Sequence, residues 1–140
     1  MKEEEIHFFF GFQTNMKRIT IIGGHYGSGK SEISVHLVLK HNVDYLVDLD
    51  IINPYFRSRA LSEMLNQNGI NMVESTIKNK LNSDMPYVSG EGKIPFVNEN
   101  VTAIYDLGGT ENGVRVLIQF LEHVKNLDDI DFLITCNTFR

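Results

Sequence analysis

The stretch "GHYGSGKS", residues 24–31, follows the apolar run "RITII" and precedes "EISVHLVLK". It matches G-x-x-x-x-G-K-[ST] at every fixed position and lies between a predicted strand and a predicted helix, the context that pattern requires. Few folds accommodate such a stretch. Gly24, Gly27 and Gly29 carry no side chain and can take positive φ, so the backbone N–H groups can turn inward to form an anion nest. The helix that opens at Lys30 aims its positive end at the same point. Lys30 supplies a mobile charge for β- and γ-phosphates, and Ser31 a hydroxyl for Mg²⁺, an ion that keeps several of its waters. With His25, Tyr26 and Ser28 between the glycines, the loop reads as a cradle for a triphosphate.

The pattern around the loop predicts the fold class. "RITIIGG" (18–24) is a continuous apolar run, as a strand buried on both faces would be. Residues 30–41 read as a helix with Ile33, Leu37 and Val38 on its apolar side. "VDYLVDLD" (43–50) is a second strand. Residues 56–69 form a helix with Leu61, Met64, Leu65 and Asn68 on one face, ended by Gly69 as a left-handed cap. "INMVES" (70–75) is a weaker strand. Residues 76–100, with Pro86 and Pro95, read as a short helix or turn and a long loop. "VTAIYDLGG" (101–109) is a strand entering a glycine turn. Residues 113–125 are helical, with Val114, Leu117, Ile118, Leu121 and Val124 at core spacing. "DIDFLITCN" (129–137) is a last strand. This alternation predicts right-handed βαβ units and a mainly parallel sheet covered on both faces, a three-layer α/β/α sandwich. No element follows the last strand, so the domain is expected to be incomplete at its C-terminal end, with "FLIT" uncovered.

Composition narrows the setting. The chain has 140 residues, 42% of them hydrophobic, enough for one domain with a sizeable core. A net charge of −5 argues against a nucleic-acid surface and an anionic-membrane patch. Cys136 is the single cysteine, so an intrachain disulfide and a cysteine zinc cluster are excluded. It is expected to be a small buried residue. Residues 1–15 carry three glutamates before a short aromatic patch. They lack the basic start and longer apolar stretch of a signal peptide, and no run approaches the roughly 20 apolar residues of a membrane span. A cytoplasmic chain is expected. Residues 1–15 read as an extension outside the fold, with residues 16–140 as the domain; the alternative is an extra edge strand through "IHFFFGF".

A phosphate loop needs carboxylates for magnesium and a partner for an attacking water. Asp106 ends an apolar strand and opens "DLGG". It can hold a magnesium-bound water or cap the next helix. Gly109 can follow the γ-phosphate through its N–H. Asp48 and Asp50 stand at the C-terminal end of another strand, where sites in such sheets gather. One can face the magnesium shell and the other the attacking water, or both can be solvated strand ends. Arg57 and Arg59 are phosphate or partner ligands, or surface residues of a helix start. Asp84 and Pro86, in "SDMPY", form a substrate or partner loop, or a structural turn. His25 reads as a loop-packing residue, and His7, His36, His41 and His123 show no ligand spacing.

Taken together, "GHYGSGK", "VDLDIINPYFRSR", "DLGG" and the Asn-x-x-Arg of Asn137 and Arg140 resemble the MinD/ParA/CobQ/CobB type of nucleotide-binding domain, the SIMIBI branch of phosphate-loop proteins, over about residues 17–140. The similarity is greatest to a bacterial group of ATP-binding proteins that carries these four motifs. It implies the phosphate-loop NTPase fold, with the loop strand beside the Asp106 strand and the Asp50 strand beyond it. It implies ATP and Mg²⁺ as ligands, Lys30 and Asp50 as catalytic groups, Asp50 orienting the hydrolytic water, and Asp106 as the magnesium aspartate alongside Ser31 and Asp48. His25 stands where MinD and ParA carry a lysine that reaches into a partner subunit, so the resemblance leaves their nucleotide-sandwich homodimer open. The base-binding strand of the family follows the Asn-x-x-Arg. The function this implies is Mg²⁺-dependent ATP hydrolysis. The alternatives are a small-molecule kinase, because "VDLDIINPYFR" loosely resembles the acceptor side of adenylylsulfate kinases, and a low-turnover switch acting through a protein partner.

Overall fold

The unbroken apolar run at the start of the domain becomes a strand with both faces covered. Ile19, Thr20, Ile21 and Ile22 are all fully buried in β1 (Ile19–Gly24). The computed structural model describes residues 16–25, 27–50, 59–76, 87–88, 90–109 and 111–136. The expectations for residues 1–15, Tyr26, Arg57, Asp84, Pro86, Asn137 and Arg140 lie outside them. After β1 come α1 (Lys30–His41), β2 (Tyr45–Asp48), α2 (Arg59–Gln67), β3 (Asn71–Thr76) and β4 (Tyr87–Val88). A 3₁₀ turn (Gly90–Lys93), α3 (Ile94–Val97), β5 (Ala103–Asp106), α4 (Glu111–Leu121), a second 3₁₀ turn (Leu127–Asp129) and β6 (Ile130–Thr135) complete the described chain.

The architecture is α/β. The strands stand in the order β4-β3-β2-β5-β1-β6. The five from β3 to β6 run parallel, and the two-residue β4 pairs antiparallel with β3 at one margin. β1 therefore lies beside β5, with β2 beyond it. Parallel neighbours require long crossovers, and the helices serve as those crossovers. They cover both faces. On one face Ile33, Leu37 and Val38 of α1 and Leu65 of α2 pack over Ile22, Leu46 and Ile104. On the other, Phe96 of α3 and Val116, Leu117 and Phe120 of α4 pack over Ile19, Ile21, Val47 and Tyr105.

Local chemistry sets the helix ends. α1 stops where Asn42 takes the left-handed conformation and donates its N–H to the Val38 carbonyl. α2 stops at Gly69, with φ 76°, as expected of a left-handed cap. At the N-terminal edge of the sheet the Arg18 guanidinium donates to the carbonyls of Pro95, Asn98 and Val101 and pairs with Asp129 at 3.5 Å. That cation joins α3 and the segment after it to the start of β1. Among the described residues no helix is long and apolar enough to cross a membrane.

Three expectations are corrected. The buried side of α4 is Gly113, Val116, Leu117 and Phe120, with Leu121 and Val124 at its margin, while Val114 and Ile118 are 43% and 54% exposed. Two packing contacts set this roll. A Cβ at Gly113 would collide with the Leu107 carbonyl, so the helix backbone seats directly on the β5 turn. Phe120 then meets Phe96 and Tyr105, with ring centroids 5.7 and 6.2 Å away. Asn68 is exposed rather than core-facing, because α2 has ended and its side-chain amide donates back to the Met64 carbonyl. Cys136 is exposed, since it follows Thr135, the last residue that β6 pairs with β1. Of "FLIT", Phe132 and Ile134 are 64% and 73% exposed, whereas Leu133 packs against the α1 side of the core and Thr135 is buried.

The roll of α4 is testable by equilibrium denaturation. Gly113→Ala, though it raises helix propensity, should destabilise by about 1–3 kcal/mol through overpacking. Ile118→Ala should stay within about 0.5 kcal/mol of wild type. The reverse ranking would restore the expected stripe.

Candidate functional site

The parallel register brings the C-terminal ends of β1, β5 and β2 to one edge. Ile22 stands beside Asp106, and Asp106 beside Asp48. Such an edge is where ligands bind in open α/β sheets. The ladder continues past the strand ends: the Leu107 N–H donates to the Ile22 carbonyl at 3.0 Å and the Leu49 N–H to the Asp106 carbonyl at 2.8 Å. The residues that follow each strand are thus held against one another, although they lie far apart in sequence.

The glycine loop spans β1 and α1. Gly27 and Gly29 have φ of 75° and 81°, the left-handed values the nest requires. The loop closes on itself where the Ser28 N–H donates to the His25 carbonyl at 3.1 Å. His25 is otherwise exposed. Gly29 occupies the cap position of α1 and offers no side-chain bond to the helix N–H groups. A serine or aspartate there would have satisfied one of them; glycine leaves them for a ligand. The Lys30 side chain is buried and folds back across the loop, its ammonium 3.3 Å from the same His25 carbonyl.

Across the loop, the Ser31 hydroxyl donates to Asp106 Oδ2 at 2.9 Å, and the Gly108 N–H donates to Asp106 Oδ1 at 3.1 Å. Burial raises the Asp106 carboxyl above its ordinary range. Those two hydrogen bonds and the nearby Lys30 charge oppose the rise, and Asp50 adds to it. Asp48 is buried to the same degree, and its Oδ1 accepts the Asp50 N–H at 2.8 Å. Burial pushes the Asp48 carboxyl up to about 8; the Asp50 N–H opposes this, and Asp106, Asp50 and Glu74 reinforce it. Asp50 is half-buried and sits against Gly108, where a Cβ would come 2.7 Å from Asp50 Cβ and Cγ.

The donor set suits a hard cation. Ser31 and Asp106 present a hydroxyl and a carboxylate side by side, with the Asp48 carboxyl on the neighbouring strand. Among the described residues no group of three or more His, Cys, Asp or Glu side chains forms a cage of its own. Mg²⁺ needs no such cage, because it is held by one or two carboxylates together with phosphate oxygens and water. Ser31 and Asp106 would hold it, with Asp48 beside them.

Most of the expected site residues converge. Gly24, His25, Gly27, Ser28, Gly29, Lys30 and Ser31 form the loop, and Asp48, Asp50 and Asp106 stand at its edge. Gly109 is exposed at the bend after β5. Gly108, its neighbour, has φ 69° and Asp50 packed against it. Glu74, half-buried and in register with Asp48, was not singled out from sequence. Nor was Thr135, whose hydroxyl lies 2.6 Å from Ser28 Oγ. No sequence signal marks either, since both depend on which strands are neighbours. No family model matches the chain, and no curated protein matches it significantly.

The raised carboxyls make stability pH-dependent. A folded-state pKa near 8 for Asp48, against 3.8 ordinarily, means that the folded chain holds a proton the unfolded chain has released. That contribution is full below about pH 4 and is lost as pH rises through about 8. Asp106 acts in the same direction. Without divalent cation or nucleotide, the melting temperature should fall between pH 5 and pH 8.5, and Asp48→Asn should flatten the slope. A wild-type melting temperature that is level or rising over this range would contradict the assignment.

Proposed function

We propose that the chain is a phosphate-loop domain of the MinD/ParA type that binds ATP with Mg²⁺ and hydrolyses it. The observation that carries this reading is the meeting of two motifs across β1 and β5. The Ser31 hydroxyl bonds the Asp106 carboxylate while the Lys30 ammonium closes back over the loop. Any glycine turn could reverse the chain. This one also brings a lysine, a hydroxyl and an acidic strand end to one point, as triphosphate chemistry demands.

Each group has a role in that chemistry. The loop N–H groups and the α1 N-terminus would receive the phosphate oxygens. The Lys30 ammonium, now on the His25 carbonyl, would turn to the β- and γ-phosphates as their charge arrives. Bound Mg²⁺ would offset charge on the phosphate oxygens. Ser31 and Asp106 would hold it in register with the loop. Asp50 is less buried than Asp48 and stands at the mouth against Gly108, where its carboxylate would orient a water toward the γ-phosphorus. Asp48 would fix Asp50 through the bond from the Asp50 N–H to Asp48 Oδ1. The net charge of −5 supports a small nucleotide over nucleic acid as the ligand.

Lys30→Ala should keep the fold and abolish ATP–Mg²⁺ binding in calorimetry, because the charge serves the ligand and not the core. Wild-type affinity in that variant would overturn the proposal. Asp50→Ala should bind ATP nearly as well as wild type and release phosphate about 10²-fold more slowly, the usual loss for a removed base. Phosphate release needs no acceptor under this reading. Turnover only with an added acceptor would identify a kinase, and tight binding without turnover a switch that acts through a protein partner.

A further inference from the structure

The phosphate loop has a side-chain anchor that its motif does not require. Ser28 occupies a variable position of G-x-x-x-x-G-K-[ST], yet it is only 4% exposed. Its hydroxyl lies 2.6 Å from that of Thr135, 107 residues away and 6% exposed. Thr135 ends β6 and pairs in register with Gly24, the last residue of β1. Its hydroxyl also reaches the Gly23 carbonyl at 3.4 Å. A Cβ placed on Gly24 would collide with the Thr135 hydroxyl, and would lie 2.6 Å from the Thr135 carbonyl oxygen and 2.9 Å from Ser28 Oγ. The absence of a side chain at Gly24 is therefore what lets Thr135 close on the loop from behind, on the side away from Asp106.

We propose that Thr135 is a positioning residue for the phosphate loop. Its hydroxyl clamps Ser28, and so holds Gly27 to Gly29 in the conformation that receives phosphate. This rests on the nucleotide-binding function proposed above. The physical argument is preorganisation. A loop that must present several N–H groups at once loses affinity when it has to be ordered at the moment of binding. Two buried hydroxyls satisfy each other at 2.6 Å. Without Thr135 the buried Ser28 hydroxyl loses this partner, and without Ser28 the Thr135 hydroxyl keeps only its 3.4 Å contact with the Gly23 carbonyl, so either change loosens the loop from β6. The anchor touches neither phosphate nor metal, so its removal should weaken every ligand that carries the phosphate chain, whatever the base.

Calorimetry with ATP–Mg²⁺ and with inorganic tripolyphosphate–Mg²⁺ tests this on the full chain, with thermal melts to confirm folding. Thr135→Val keeps the side-chain volume and should weaken both ligands about tenfold, equivalent to about 1.4 kcal/mol. Thr135→Ser keeps the hydroxyl and should restore binding, which a purely space-filling role for the threonine would not predict. In the double variant Ser28→Ala/Thr135→Val the two losses should not add, because both act through one contact. If Thr135→Val does not fold, Ser28→Ala carries the test and should itself weaken both ligands. Unchanged affinity in the folded variants, additive losses, or a Thr135→Ser variant no better than Thr135→Val would each overturn the proposal. A wild-type chain that binds neither ligand overturns the nucleotide reading together with this one, whereas normal wild-type binding with an indifferent Thr135 overturns this one alone.

Discussion

The hydrogen bond from Ser31 to Asp106 joins two segments 75 residues apart, and the architecture of the site follows from what makes it achievable. It needs β1 and β5 side by side, parallel, and in the register that sets Ile22 against Asp106. A slip of one residue would turn every side chain of β5 to the opposite face. Ala103 and Tyr105 would then leave the cluster they share with Phe96 and Phe120, and Ile104 the one it shares with Ile22 and Leu37. The apolar packing of two separate layers thus holds one polar contact at the sheet's edge.

That edge concentrates charge at a cost. Asp48 and Asp106 are neighbours on adjacent strands, both buried, and two carboxylates so placed cannot both ionise cheaply. The chain blunts the cost with local donors, the Asp50 N–H to Asp48 and the Ser31 hydroxyl and Gly108 N–H to Asp106. The remainder shows as raised affinity for a proton. A divalent cation would supply the same offsetting charge as the proton. Each fully buried Leu or Ile contributes about 1.5–3 kcal/mol, so the core of Ile19, Ile21, Leu37 and Leu46 can carry a strained edge of this kind.

The loop is held from two directions. On one side Ser31 ties the start of α1 to β5; on the other Thr135 ties Ser28 to β6. Between them the Lys30 ammonium rests on the His25 carbonyl. A glycine-rich loop left to itself would sample many conformations, because glycine restricts φ so little. Anchors on both neighbouring strands remove much of that freedom before any ligand arrives.

Much of this was legible from local pattern. The buried run of β1, the helix with Ile33, Leu37 and Val38 on its core side, the Gly69 cap and the glycines at 27 and 29 all follow from residue type and spacing, which act over a few residues and leave the same mark in any context. The alternation of strands and helices implied a parallel sheet for the same reason. What sequence could not reach depended on contacts between distant segments. The roll of α4 turns on Gly113 seating against Leu107 and Phe120 meeting Phe96, so a periodicity that allowed Val114 and Ile118 inside could not choose. Gly108 is constrained because Asp50, just past β2, lies against it. Thr135 and Glu74 acquire neighbours only once β6 lies beside β1 and β3 beside β2. The sequence by itself determined most of the strands and helices and which loop carries glycines of positive φ, since those are properties of short stretches. The tertiary structure decided which face of each element is buried and which polar groups meet, because only the folded chain fixes the distances between them.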